Sequence, residues 1–212
     1  MKKTFYFVSM LFISMVLFST SCNNKVKSNT TQSSKPKVDT LWNDRVQDTF
    51  FGATLGDDIS VVKENFVKHE LYLLKDVSTD ELLHYLPTGR KFFSFGGEIW
   101  SNIDVFVDNG RFRGVRLMNV SNDKASALDL YNNLKDTVGK KYKLTRSELP
   151  DSTFYAKNVI YGKNDALAVI YCKRFETMKF NIRIGVFLEY ITLKDLGGIS
   201  DAQVQHRTAI FW

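Results

Sequence analysis

From Phe180 to Tyr190 every second residue is apolar: Phe180, Ile182, Ile184, Val186, Leu188 and Tyr190. Asn181, Arg183 and Glu189 fall between them. A period of two over this length does not suit a helix stripe. It fits a strand with one buried face in an antiparallel sheet. We place that strand at Lys179 to Tyr190, at the centre of the sheet.

Its neighbours are supplied by the rest of the chain. Ile99 to Val107 and Arg111 to Val120 flank Asp108-Asn109-Gly110, a hairpin signal because Asn and Gly tolerate positive φ. A three-residue loop with Gly110 in a bulge opposes Phe106 to Phe112 and Ile103 to Val115. A two-residue turn opposes Ile103 to Arg116, so the three-residue loop is the preferred register. Lys91 to Phe95 is a short aromatic strand ending at Gly96-Gly97. Two more strands, at 153–161 and 166–173, are joined by Gly162-Lys163-Asn164-Asp165.

Two segments have helical period. Ile59, Val62 and Phe66 share one face of a helix at 58–68, with Asp57 as its N-cap. Ala127, Leu130, Tyr131, Leu134 and Val138 form the stripe of a second, capped by Ser121 or Asn122 and ended by Gly139. Glu70 to Leu86 is ambiguous: Leu71, Leu73 and Leu74 suit a strand, Thr79 to Tyr85 a short helical turn. The order is helix, three strands, helix, three strands. The expected fold class is α+β, one mostly antiparallel sheet of about six or seven strands with two helices on one face.

The formal net charge of +6 is unevenly spread. Residues 1–21 carry +2, residues 22–40 carry +3 and residues 41–212 only +1. A folded part so nearly neutral lacks the footprint of a phosphate-backbone binder, so no nucleic acid is expected as a partner. Arg111, Arg113 and Arg116 lie close in sequence, and the plain account of them is the solvated side of a strand.

The surplus charge belongs to an address. Lys2 and Lys3 precede an apolar run from Phe5 to Phe18, broken only by Ser9 and Ser14 and followed by Ser19-Thr20-Ser21-Cys22. The run is shorter than the roughly 20 residues a spanning helix needs. Residues 1–22 resemble a bacterial lipoprotein signal of the Bacteroidetes type, with Ser19 where an aliphatic residue is commoner. The resemblance implies cleavage after residue 21 and acylation of Cys22. Acyl chains at about 0.8 kcal/mol per buried CH₂ would then hold the protein on the membrane. Asn23 follows the cysteine and Lys25 and Lys27 make the next stretch basic, so the resemblance implies an outer-membrane protein facing the periplasm. Residues 22–40 hold two valines and no larger apolar side chain. They form a tether, with a reach on the order of 25 Å. Residues 41–212 form a single domain. Asp39-Thr40-Leu41 resembles a short Bacteroidetes O-glycan acceptor.

Phe51-Gly52 and Leu55-Gly56 before an acid-capped helix resemble the small helix-plus-sheet envelope lipoproteins of the BamE/SmpA group, and the layout also resembles the beta-lactamase-inhibitor-like repeat. No functional residue carries over from either.

Motifs for chemistry are scarce. His69, His84 and His206 lack ligand spacing, so no metal and no cofactor is expected. No phosphate loop, nucleophile elbow or dinucleotide fingerprint occurs. Glu98 with Asp104 is one carboxylate pair a hydrolase could use. Cys172 lies in Leu167-Ala168-Val169-Ile170-Tyr171-Cys172 and has the setting of a small buried hydrophobe. Phe92, Phe93, Phe95, Trp100, Phe106 and Phe112 cluster along the chain, either as core or as an aromatic face for a partner. The candidate binding surface is Trp100, Phe106, Arg111, Arg113 and Arg183, on the sheet face away from the helices. The expectation is an envelope protein that binds another envelope protein or a glycan, in an inhibitor-like manner. The alternative is a hydrolase acting on envelope polymers.

Overall fold

The computed structural model describes residues 41–147, 149, 151–176 and 181–193. Cys22, the tether, His206 and the Asp39-Thr40 pair lie outside them. In chain order the elements are β1 (Trp42–Asn43), β2 (Thr49–Phe50), β3 (Ala53–Thr54), α1 (Ile59–Lys68), β4 (Leu71–Leu73) and β5 (Leu82–Pro87). Then come β6 (Phe93–Phe95), β7 (Glu98–Trp100), β8 (Asn102–Asp108), β9 (Arg111–Ser121) and α2 (Lys124–Gly139). The last four are β10 (Thr145–Arg146), β11 (Phe154–Gly162), β12 (Ala166–Glu176) and β13 (Ile182–Thr192).

The fold is α+β, with two helices and a mixed, mostly antiparallel sheet. That sheet has nine strands rather than six or seven, in the order β1-β11-β12-β13-β9-β8-β5-β4, with β10 beside β11. The strands beyond those expected are β1, β4, β5 and β10, whereas the expected aromatic strand, β6, pairs only with β7 in a separate two-stranded sheet. β1 has two residues and pairs parallel with β11. Asn43 seats it: its amide donates to the carbonyls of Lys143 and Tyr161 and accepts from the Lys143 N–H.

Thr79 to Tyr85 is not helical. Leu82–Pro87 is a strand, its residues alternating half-buried and buried, paired with β4 and β8. Tertiary pairing overrides a helix-compatible local sequence.

α1 begins one residue later than expected. Asp58 is its N-cap and accepts from the Ser60 N–H, while Asp57 accepts from the Thr54 N–H. α2 is capped by Asp123, which accepts from Ser126, and not by Ser121 or Asn122. Val62 and Phe66 of α1, with Ala127, Tyr131, Leu134 and Val138 of α2, pack into one cluster with one face of the sheet. Ile184, Val186, Leu188 and Tyr190 of β13 join that cluster, as their alternation requires, while Ile182 is exposed.

The hairpin departs from the expected register in an instructive way. Asn109 and Gly110 form a two-residue turn, both at positive φ. Asp108 opposes Arg111 and Val107 opposes Phe112, but Phe106 opposes Gly114. Arg113 is therefore an extra residue, a bulge. It shifts the pairing so that Ile103 meets Leu117 and Val105 meets Val115. Without it, Phe112 and Val115 would fall on opposite faces; with it, both are buried in the helix-side core.

The other face of the sheet is not simply open. Phe154, Val159, Tyr161, Leu167, Val169, Tyr171 and Phe187 form a second buried cluster there. The expectation of a strand with one wet face fails for β13, because Phe187 and Glu189 are as buried as Val186 and Leu188.

Candidate functional site

The face away from the helices carries a row of charges in register. His84 on β5 opposes Asp104 on β8, Asp104 opposes Arg116 on β9, and Arg116 opposes Glu189 on β13. Both Asp104 oxygens are used. One accepts from His84 Nδ1 at 2.7 Å, the other from Arg116 Nε at 3.0 Å and a terminal guanidinium nitrogen at 2.5 Å. Burial alone would raise the Asp104 carboxyl, but the His84 hydrogen bond and the Arg116 charge hold it below the usual range. It is then an ionised acceptor, so His84 Nδ1 carries the hydrogen.

Glu189 is treated differently. Burial pushes its carboxyl up to about 7, against the pull of Arg116. The Tyr171 hydroxyl donates to it at 3.4 Å. Lys157, beside Tyr171 in register, is buried, which lowers its ammonium against the pull of Glu189. Arg116 also lies 5.3 Å from the centre of the Phe106 ring. That ring reaches over Gly114, where an added Cβ would stand 2.6 Å from the Tyr190 carbonyl oxygen and 3.0 Å from the ring.

The sequence-derived surface is thus divided. Trp100 is no part of a surface: it is 2 % exposed in the helix-side core and donates to the Phe95 carbonyl. Phe93, Phe95 and Phe112 join it in the core, and Phe92 is exposed. Phe106 lies half-buried under Arg116, on the face the expectation assigned. Arg111 is exposed at the hairpin end, where its backbone pairs antiparallel with that of Asp58. Arg113 sits in the bulge, 3.4 Å from Asp108. Arg183 is exposed on β13, opposite Phe175. The three clustered arginines form no patch, because Arg116 is committed to Asp104.

A second feature left almost no trace in the sequence. A cleft of about 600 Å³ runs between α2 and the outer edge of β11. Tyr131, Lys135, Arg146, Tyr155, Lys157 and Asn158 line it. Tyr131 donates its hydroxyl to Asn158 at 2.5 Å, and Lys124 lies 4.4 Å from the centre of the Tyr155 ring. No carboxylate belongs to its lining among the described residues. Only the spacing of Tyr131 and Lys135, four apart on one helix face, hinted at it. The rest depends on which strand is the edge. A smaller cavity of about 210 Å³ holds His69, with an ion pair between Arg90 and Glu70 at its rim.

The supposed acid pair is split. Glu98 accepts from Thr137 of α2, on the helix side, and Asp104 faces the other way. Among the described residues no group of three or more His, Cys, Asp or Glu side chains could hold a metal ion. Cys172 is fully buried, and burial pushes its thiol up to about 11, as befits an inert core residue. No family model, no curated protein and no solved structure matches the chain.

Proposed function

We propose that the chain is a lipid-anchored cell-envelope protein whose folded domain binds a partner. The anchor rests on the apolar run from Phe5 to Phe18 ending at Cys22, and the tether on the polar stretch 22–40. The basic residues after Cys22 favour the outer membrane, facing the periplasm. Another envelope protein or a glycan is the partner class, reached at high local concentration because the tether confines the domain near the membrane.

One observation carries the choice of binding over hydrolysis. The larger of the two clefts described offers aromatic and cationic side chains and, among its described lining, no carboxylate. Glycoside hydrolysis needs two carboxyl groups roughly 5 to 10 Å apart across the bond. Tyrosine and arginine are the residues that anchor interfaces.

The test is a photo-cross-linking amino acid at Tyr155 of the full chain in intact cells, with the same group at the exposed Val67 of α1 as control. A discrete adduct from Tyr155 and none from Val67 is the expected result. No adduct from Tyr155 would end this reading.

A further inference from the structure

The apolar cluster on the face away from the helices is sealed more completely than one sheet can seal itself. Leu167, Val169 and Tyr171 are 0 % exposed, and Val159, Tyr161 and Phe187 at most 4 %. Register sets them side by side: Tyr161 opposes Leu167, Val159 opposes Val169, and Tyr171 opposes Phe187. Side chains on one face of a sheet stand alongside one another, so their outer ends stay wet until a second layer packs on them. Both helices and both two-stranded sheets contribute to the other cluster. Apart from Leu193, every described member of the sealed cluster belongs to β9, β11, β12 or β13. Farther along the same face Met118, Arg116, Phe106, His84 and Leu82 are only half-buried. The sealing is therefore confined to β11, β12 and β13.

We infer that residues 194–212 dock on this face and form the second layer over β11, β12 and β13. The chain leaves the sheet at Leu193, whose N–H donates to the Asp165 carbonyl and whose side chain already packs against the sealed cluster. Thr192 opposes Ala166, so the exit lies at the Leu167 end of β12. Gly197-Gly198 follows, a pair suited to a reversal of the chain, and then Ile199, Val204, Ile210, Phe211 and Trp212 supply apolar side chains. From Leu167 to Phe175 the cluster runs about 26 Å along β12, at about 3.3 Å per residue. Residues 199–212 span about 21 Å as a helix and more when extended, enough to lie along most of it. No other stretch meets the need. Residues 177–180 join β12 to β13 about 30 Å from Leu167. Residues 148 and 150 only flank the exposed Leu149. Residues 22–40 offer two valines and nothing larger that is apolar. Residues 1–21 leave the mature chain on the lipoprotein reading proposed above, and this one step rests on that reading. The central strands of the face once assigned to a partner are then closed by the protein's own chain.

The test uses the full chain in detergent micelles, with the photo-cross-linker p-benzoylphenylalanine in place of Phe211 and the linked peptides mapped by mass spectrometry. The expected product is a cross-link within one chain to the sealed face of β11, β12 or β13. A Phe211→Asp, Trp212→Asp double variant gives a second reading. Hydroxyl-radical labelling of Tyr161, Tyr171 and Phe187 should rise at least threefold in it, while Phe66 and Tyr85 in the helix-side core keep their labelling. Cross-links only to the helix side, only between two chains, or none at all would overturn the inference. So would unchanged labelling of the three rings in the double variant. Where labelling rises equally in both clusters, the domain has unfolded and the cross-link from Phe211 decides alone. The adduct at Tyr155 in cells reports on the binding role separately: its absence would end that role and leave this layer in place.

Discussion

Glu189 opposes the fold at neutral pH. Its carboxyl titrates near 7 when folded, against an ordinary value of 4.5. Between those values the folded state holds the proton more tightly than the unfolded chain, so stability falls as pH rises through that window. Asp104 acts in reverse: its lowered carboxyl stabilises the fold above the usual carboxylate range and loses that effect as the pH falls through its folded value. The charged and titratable groups facing Glu189 are Arg116, Tyr171, Asp104 and Lys157. Glu189→Gln should raise stability at pH 8 by up to about 3 kcal/mol and flatten the profile between pH 5 and 7. Denaturant melts across that range measure it, and an unchanged slope would show that Glu189 is not the titrating group. Gly114 is the other residue with a sharp requirement. A Cβ there meets Tyr190 backbone at 2.6 Å and Ile191 at 2.7 Å, so Gly114→Ala should cost about 2 kcal/mol or more. A loss below about 0.5 kcal/mol in the same melts would mean that the strands can part there cheaply.

At the scale of elements, legibility tracks how local the cause is. The Asn109-Gly110 turn, the stripe of α2 and the alternation of β13 each depend on neighbours in sequence, and each appears where its pattern lies. The bulge at Arg113 does not: it is forced by the need to bury Phe112 and Val115 together, a demand from the partner strand and the helices. The segment holding β5 is ambiguous by itself and suits a helical turn for the same kind of reason, since its alternation only acquires meaning between β4 and β8. The charge row was hidden because Asp104 and Glu189 are distant in sequence and meet only through three strand pairings. Removing Arg113 should either expel Phe112 from the core or slide the hairpin, at a cost of several kcal/mol. Replacing Arg113 by Ala keeps the extra residue and should cost far less. Equal losses from the deletion and the substitution would assign the role to the side chain instead of the bulge. Arg116→Met should cost roughly 3 to 5 kcal/mol, because it strands the buried Asp104 charge; a near-neutral result in the same melts would mean that the row admits water.

Across the whole molecule, the proposed address and the proposed binding site differ in where their evidence lies. A signal and a tether are compositional, whereas a cleft exists only once edge strands are known. Cys22→Ala should shift the protein from the membrane fraction to the soluble fraction or leave an unprocessed precursor. A free, unacylated N-terminus other than Cys22 on the wild-type protein would refute lipidation. Chains starting at Leu41 and at Asn23 should share a thermal midpoint, because residues 23–40 lack the side chains to join a core. A drop of more than about 4 °C on removing them would show that the segment packs on the domain.

Cys172, buried on β12 under α2, gives the molecule a built-in timer. In the Cys22→Ala protein it is the sole thiol, and its sulfur can meet a disulfide reagent only when the structure over it parts. The labelling rate at rising urea then separates two motions. A weak dependence on urea would record α2 lifting off by itself, with little surface exposed. A dependence as steep as global unfolding would record the sheet coming apart as one body, helix and strands together.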